Sequence, residues 1–279
     1  MENMSNLSQF NKFTGGLPQK DYMMPVLFIG HGSPMNGIED NEFSQGWAQI
    51  AKEIPVPAAV LVISAHWLTE GTMVTAMEFP RTIHDFAGFP EPLYRVQYKA
   101  PGYPLLAEET ASLIHSTKAF LDHEWGLDHG AWSVVKHMYP QANIPVLQLS
   151  IDYTRDAQYH FDLAKELYSL RSKGVLIIGS GNIVHNLRMI AWDKMQVPGY
   201  GFDWALQIND RIKQLIRTGD SQTLISYEKL KDSRLAIPTP EHYIPLIYSL
   251  GLKTDKDPIL IFNDKSVAGS ITMTSVKFG

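Results

Sequence analysis

The chain contains no cysteine. Disulfides, thiolate metal sites and cysteine nucleophiles are thereby excluded, and any metal must be held by imidazole or carboxylate. Basic charge is scarce too: 24 Lys and Arg stand against 29 Asp and Glu, for a net charge of −5, with no basic stripe. That balance gives a nucleic-acid partner little support. No apolar run approaches the roughly 20 residues of a membrane span, and the polar stretch from Met1 to Tyr22 lacks the apolar core of a signal peptide. The expectation is a cytoplasmic protein with no membrane or nucleic-acid partner; oligomeric state is not legible.

The 279 residues are 44% hydrophobic, enough to bury a large core without staples. No break in composition divides the chain. A loose N-terminal extension is expected over residues 1–22, rich in Asn, Ser and Gln around Gly15-Gly16, and a single catalytic domain over 23–279. Short apolar runs recur at Val26–Ile29, Ala58–Ile63, Ile144–Leu149, Val175–Ile178 and Ile259–Phe262. Each is apolar on successive positions, which suits strands covered on both faces, as in a parallel sheet. Between them, Pro104–Phe120, Ala157–Leu170 and Phe202–Ile216 read as amphipathic helices, the last with Asp203 as its cap. Alternation of this kind predicts an α/β fold, a three-layer α/β/α sandwich around a largely parallel central sheet. The stretch from Phe79 to Pro104 is dense in Pro, Gly and aromatics and too long for a simple connector.

Three of the apolar runs deliver a histidine. Leu27-Phe28-Ile29 leads to Gly30-His31-Gly32-Ser33-Pro34, Leu61-Val62-Ile63 to Ser64-Ala65-His66-Trp67, and Leu176-Ile177-Ile178 to Gly179-Ser180-Gly181-Asn182-Ile183-Val184-His185. Ligands of open α/β sheets bind at the carboxyl ends of the strands, so these histidines can converge. The flanking glycines remove bulk and allow backbone and ligand to approach. Any single histidine after a strand is most often a hydrogen-bonded loop residue; three together point to a shared metal or catalytic site. Imidazole suits Zn, Fe, Cu and Ni rather than Mg or Ca. His242 follows Glu241 where the chain enters a short helix, and either of the two can serve as a ligand. His129 follows Asp128, a cap for the next helix. His115, His123, His137 and His160 read as surface or core residues, and His84 in the aromatic loop as an outside candidate for substrate contact. Gly179-Ser180-Gly181 lacks the spacing of a dinucleotide or P-loop motif, and no serine sits in a nucleophile elbow.

Taken in order, Gly-His-Gly-Ser-Pro at 30–34, Ser-Ala-His-Trp at 64–67, His84-Asp85-Phe86-Ala-Gly-Phe89-Pro90, Asp-His-Gly at 128–130, Gly-Ser-Gly-Asn-Ile-Val-His-Asn at 179–186 and Pro-Glu-His-Tyr at 240–243 resemble the 4,5-DOPA extradiol branch of the class III (LigB-type) ring-cleaving dioxygenases. The likeness runs from about Pro25 to the C-terminus. It implies His31 and His66 as metal ligands with His242 as the third, His185 as the acid/base residue or a fourth ligand, and His129 beside the substrate. It also implies Fe(II) for activity, and an all-imidazole site suits Zn(II) as well. The reaction implied is insertion of O2 into a catechol such as DOPA to give a semialdehyde. His84, Trp67, Phe86, Phe89 and Tyr243 are the candidate substrate contacts, each a sizeable ring that a core would also take. The alternatives are a zinc-dependent hydrolase on the same histidines, and a metal-binding protein without turnover.

Overall fold

The computed structural model describes residues 16–279. The expected extension over 1–22 therefore lies mostly outside the described residues. From its described end, Leu17 packs on the core, and the Lys20 and Met24 amides donate to the Ser172 and Arg171 carbonyls at 2.7 and 3.0 Å.

Four buried strands form the centre of one eight-stranded sheet: β1 (Val26–Gly30), β2 (Ala59–Thr69), β5 (Val146–Asp152) and β6 (Val175–Gly181). They lie in the order β5-β2-β6-β1, and each pairs with its neighbour in parallel. Successive residues of these strands face opposite cores: Ala59, Leu61 and Ile63 enter one cluster, Val60 and Val62 the other. Strands that bury both faces have no polar alternation to show, which is why each reads as a continuous apolar run.

Helices cover both faces, so the three-layer α/β/α expectation holds. Helices α1 (Glu42–Lys52) and α3 (His129–Met138) contribute Trp47, Ile50, Ala131, Trp132 and Val135 to one face. Helices α2 (Pro104–Leu113), α4 (Ala157–Glu166), α5 (Asp203–Thr218) and α6 (Ile244–Leu252) supply the other, with Leu106, Leu163, Ile212 and Leu246.

The sheet margins depart from the parallel expectation. On one side β3 (Thr72–Thr75) runs antiparallel to β5 and carries β4 (Ala119–Asp122) at the edge. On the other, β8 (Ser275–Phe278) is antiparallel to both β1 and β7 (Ile259–Phe262). The run Ile259–Phe262 is consequently an edge strand with Leu260 exposed, not one covered on both faces. The helix expected over Pro104–Phe120 stops at Leu113, because Ala119 to Asp122 pair with Thr72 to Thr75 instead. Similarly, the one expected over Ala157–Leu170 ends at Glu166 and resumes as a short turn at Ser169–Ser172. Asp203 lies in the first turn of α5 rather than at its cap, which is Phe202; there it favours the positive end of the helix dipole. Among the described residues no helix is long and apolar enough to cross a membrane.

Register brings the strand tips together. Gly30 of β1 stands opposite Gly181 of β6, and Ser64 of β2 opposite Ser180. The segment before α6 crosses this edge, where the Asn182 amide donates to the His242 carbonyl at 2.8 Å. A Cβ on Gly181 would stand 2.1 Å from that carbonyl oxygen, so only glycine fits. The glycines of this strand serve an approach of backbone to backbone, rather than the approach of a ligand that the sequence suggested. Gly181→Ala is expected to push the His242 segment off the sheet and cost about 1–3 kcal/mol. Urea unfolding of the two proteins measures this, and equal stability would show that the crossing has slack.

Candidate active site

Five imidazoles meet at the carboxyl edge of the sheet. His31 follows β1, its amide donating to the Gly181 carbonyl at 3.1 Å. His66 lies within β2, which continues to Thr69 past an irregularity between Ile63 and Leu68. His129 is the first residue of α3, capped by the Asp128 side chain accepting from the Ala131 amide. His242 sits in the turn ahead of α6, and His185 in the loop after β6, its amide bonded to the Ala236 carbonyl at 2.8 Å. Ring centroids are 5.0 Å apart for His31 and His66, 3.9 Å for His66 and His129, and 5.1 Å for His66 and His242. His185 and His242 stack at 3.5 Å with 11° between their planes.

Hydrogen bonds decide which nitrogen of each ring carries the proton. Ser180 Oγ donates to the Gly130 carbonyl at 2.6 Å, so it accepts from His31 Nδ1 at 3.1 Å. Asp85 Oδ2 accepts from His129 Nδ1 at 2.8 Å and lies 3.2 Å from His66 Nδ1, an ion-pair contact whose negative charge favours the proton on that nitrogen. Glu241 Oε1 accepts from His242 Nδ1 at 3.3 Å. Each ring, protonated at Nδ1, leaves Nε2 bare. His31 Nε2 and His66 Nε2 then face each other at 3.1 Å. Burial, reinforced by neighbouring histidines, holds His31 and His242 well below the ordinary imidazole value. The same burial lowers His66 to about 3 and His185 to about 4. No proton therefore bridges the two Nε2 atoms near neutral pH.

Two lone pairs aimed at each other call for a cation. Two imidazole nitrogens at about 2.0–2.1 Å from one ion lie about 2.9–3.4 Å apart, so the His31–His66 pair fits a metal as it stands. Ring nitrogens of His31, His66 and His129 lie within 4.8 Å of one another, as do donor atoms of His185, Glu241 and His242. The donor set is nitrogen-rich, which suits iron or zinc.

Behind the histidines lies a polar brace. Asp128 Oδ1 accepts from Ser64 Oγ at 2.6 Å, and its Oδ2 from Gln148 Nε2 at 2.9 Å. Burial, then the Asp85 charge, push this carboxyl up against those hydrogen bonds. Burial also works to raise Asp85, but hydrogen bonds from the His129 ring and backbone, with the adjacent imidazoles, outweigh it and hold the carboxyl low.

A cavity of about 1230 Å³ opens over the rings, walled by His66, His129, His185, His242, Phe86 and Phe89, and by Leu187, Ile190 and Trp192 of the loop after β6. Phe86 stands edge-on to His129 at 5.7 Å. Three expected substrate contacts are elsewhere. Trp67 follows His66 on a strand and so points to the opposite face, where it stacks on Trp125 at 5.8 Å. Tyr243 is fully buried in the core, its hydroxyl donating to the Leu224 carbonyl at 3.1 Å. His84 Nε2 pairs with the Val96 carbonyl at 3.0 Å, behind the wall that Phe86 forms. Sequence reasoning missed Asp85, Ser180 and the 187–192 wall. A carboxylate beside an aromatic-rich loop was the one available signal for Asp85; Ser180 and the wall residues carried none.

Comparison with known proteins bears on this geometry. The family model for the catalytic LigB subunit of aromatic ring-opening dioxygenase matches residues 25–275. The 4,5-DOPA dioxygenase extradiol of Escherichia coli (strain K12) is 45% identical over 260 residues, covering 92% of this chain and 95% of that one. A Beta vulgaris protein of the same name is 34% identical over 274 residues, covering 93% and 98%. The crystal structure of an uncharacterized protein from Escherichia coli K12 superposes with a TM-score of 0.77 at 39% identity, over 92% of this chain and all of the other. With the ordered histidine motifs meeting at one sheet edge, the chain belongs to the LigB family of aromatic ring-opening dioxygenases.

Proposed function

We propose that this protein is an extradiol dioxygenase that inserts O2 into a catechol, of which DOPA is the first candidate, and opens the ring to a semialdehyde. The observation that carries the reading is the pair of bare Nε2 atoms on His31 and His66, 3.1 Å apart, with His66 lining an aromatic-walled cavity. His242 is the proposed third ligand, with Glu241 orienting it. A bound Fe(II) would supply open positions for both hydroxyl oxygens of a catechol and for O2. The names of the relatives support DOPA as the substrate to try first.

The residues around that position have separable tasks. Phe86 and Phe89 take the flat ring and keep water from it. His129 presents Nε2 as a hydrogen-bond acceptor for a substrate hydroxyl. His185 is the proposed proton carrier. Among the described residues it is the one histidine of the five whose ring makes neither a hydrogen bond nor an ion pair, so a ring nitrogen is free to accept the hydroxyl proton and return it to the product. Both atoms of O2 end in the product, and no external reductant is needed. The zinc-hydrolase alternative draws no support from these relatives, which are named as dioxygenases.

Oxygen uptake with L-DOPA and a panel of catechols, on protein loaded anaerobically with Fe(II) beside a Zn(II)-loaded control, tests the reading. Uptake with iron alone, together with a new visible absorbance from the opened ring, is expected; no uptake on any catechol would overturn it. His31→Ala and His66→Ala are expected to lose the metal with their circular dichroism unchanged. His185→Gln should retain it while turnover falls about 10²–10⁴-fold; metal loss there would instead make His185 a ligand.

Acid stability follows from the buried imidazoles. In metal-free folded protein His31, His66, His185 and His242 stay neutral to well below their ordinary value, whereas in the unfolded chain each binds a proton near pH 6.5. Below that pH the unfolded state therefore holds more protons. Stability should be flat above pH 7 and fall as pH drops from about 6.5 towards 4, by up to about 1.4 kcal/mol per unit for each histidine. Urea titrations in chelator across this range measure the slope, and a level profile between pH 7 and 5 would contradict it.

A further inference from the structure

We propose that Asp85 is a positioning residue which, through a single oxygen, sets both His66 and His129, so that each turns an unprotonated Nε2 into the cavity. The inference rests on the reading of His66 as a metal ligand and His129 as the substrate-side acceptor.

The contacts are specific. Oδ2 stands 3.2 Å from His66 Nδ1 and 2.8 Å from His129 Nδ1, while Oδ1 accepts the His129 backbone amide at 2.9 Å. A carboxylate only accepts, so His129 Nδ1 carries a proton, and the charge 3.2 Å from His66 Nδ1 favours one on that nitrogen as well. Flipping the His129 ring would set a C–H against the carboxylate and abandon a charge-assisted hydrogen bond, and flipping the His66 ring would abandon its ion-pair contact. His66 and His129 come from different elements, a strand and a helix start 63 residues apart, and Asp85 comes from a third. One side chain thus ties three separate pieces of the site.

Asp85 is itself held from both sides. The Ile83 amide donates to the Leu127 carbonyl at 2.7 Å and the Leu127 amide to the Arg81 carbonyl at 2.8 Å. Trp132 Nε1, on α3, donates to the Ile83 carbonyl at 2.9 Å. The loop carrying Asp85 is therefore stapled to the very helix that begins at His129. Phe86, the next residue, packs against His129 and Trp132. Ligand, acceptor and one aromatic wall of the cavity become one unit, arranged before any substrate arrives. Carboxylates behind ligating histidines typically account for about 10–100-fold in metal affinity.

Two measurements test this, and neither reads turnover. On metal-free wild-type protein with ¹⁵N-labelled histidine at pH 7, both His66 and His129 should show the Nδ1–H tautomer, with the protons facing Asp85 shifted downfield. Zinc affinity of Asp85→Asn, by competition with a chelating dye, should fall about 10–100-fold while the metal-free variant melts close to wild type. A merely structural Asp85 would lower the melting temperature and leave zinc affinity of the folded protein unchanged; that result, or His66 in the Nε2–H tautomer, would overturn the proposal. Should Asp85→Asn fail to fold, the wild-type tautomers decide. If both signatures appear yet no catechol drives oxygen uptake, the dioxygenase reading falls and the role of Asp85 stands.

Discussion

Two imidazole nitrogens whose lone pairs face each other at 3.1 Å repel unless something positive lies between them. A proton would do, but burial makes the charged ring expensive and pushes His31 and His66 far below the pH at which one would be present. Turning the rings would relieve the contact only by giving up the Ser180 bond to His31 Nδ1 or the Asp85 ion pair with His66 Nδ1. Much of the surrounding structure serves to keep those two nitrogens bare and close: the Asp128–Ser64–Gln148 brace, the seryl bond to the Gly130 carbonyl, and the stapled loop at Asp85.

The sheet does the positioning over longer range. Parallel pairing puts the ends of β1, β2 and β6 side by side, and the glycines of β6 let a fourth segment cross close enough to deliver His242. Helix α3 enters from the opposite side with His129 on its first turn, where Asp128 caps it and joins the brace at once. Three of the five rings sit on a strand, just past a strand end or at a helix start, while His185, His242 and the wall over the site at 85–89 and 187–192 come from loops and turns. Irregular segments of this kind can vary with the substrate while the strands keep their register.

Legibility of the sequence follows the range of the forces involved. Runs that bury both faces are visible in one dimension, which makes the four central strands legible; the edge strand at Ile259–Phe262 looks the same because apolar content does not report which neighbour is missing. The helix expected through Phe120 failed for a related reason. Its last residues pair with β3, some 45 positions earlier, and that pairing outweighs local helical preference. Trp67 and Tyr243 were candidates because each adjoins a site histidine in the chain. In a strand, adjacency places side chains on opposite faces, and Tyr243, in the turn before α6, is buried in the core.

By itself the sequence determined the alternation of strands and helices, the absence of any thiolate chemistry, and the order of histidine motifs that marks the LigB family. These are properties of composition and local pattern, complete within a few residues of chain. Only the tertiary structure decided which nitrogens are bare, because a tautomer depends on a partner brought from elsewhere: Ser180 for His31, Asp85 for His66 and His129. Glu241, a neighbour of His242 in sequence, has its oxygen set 3.3 Å from His242 Nδ1 only by the fold. A hydrogen bond has direction, and direction is fixed by the fold.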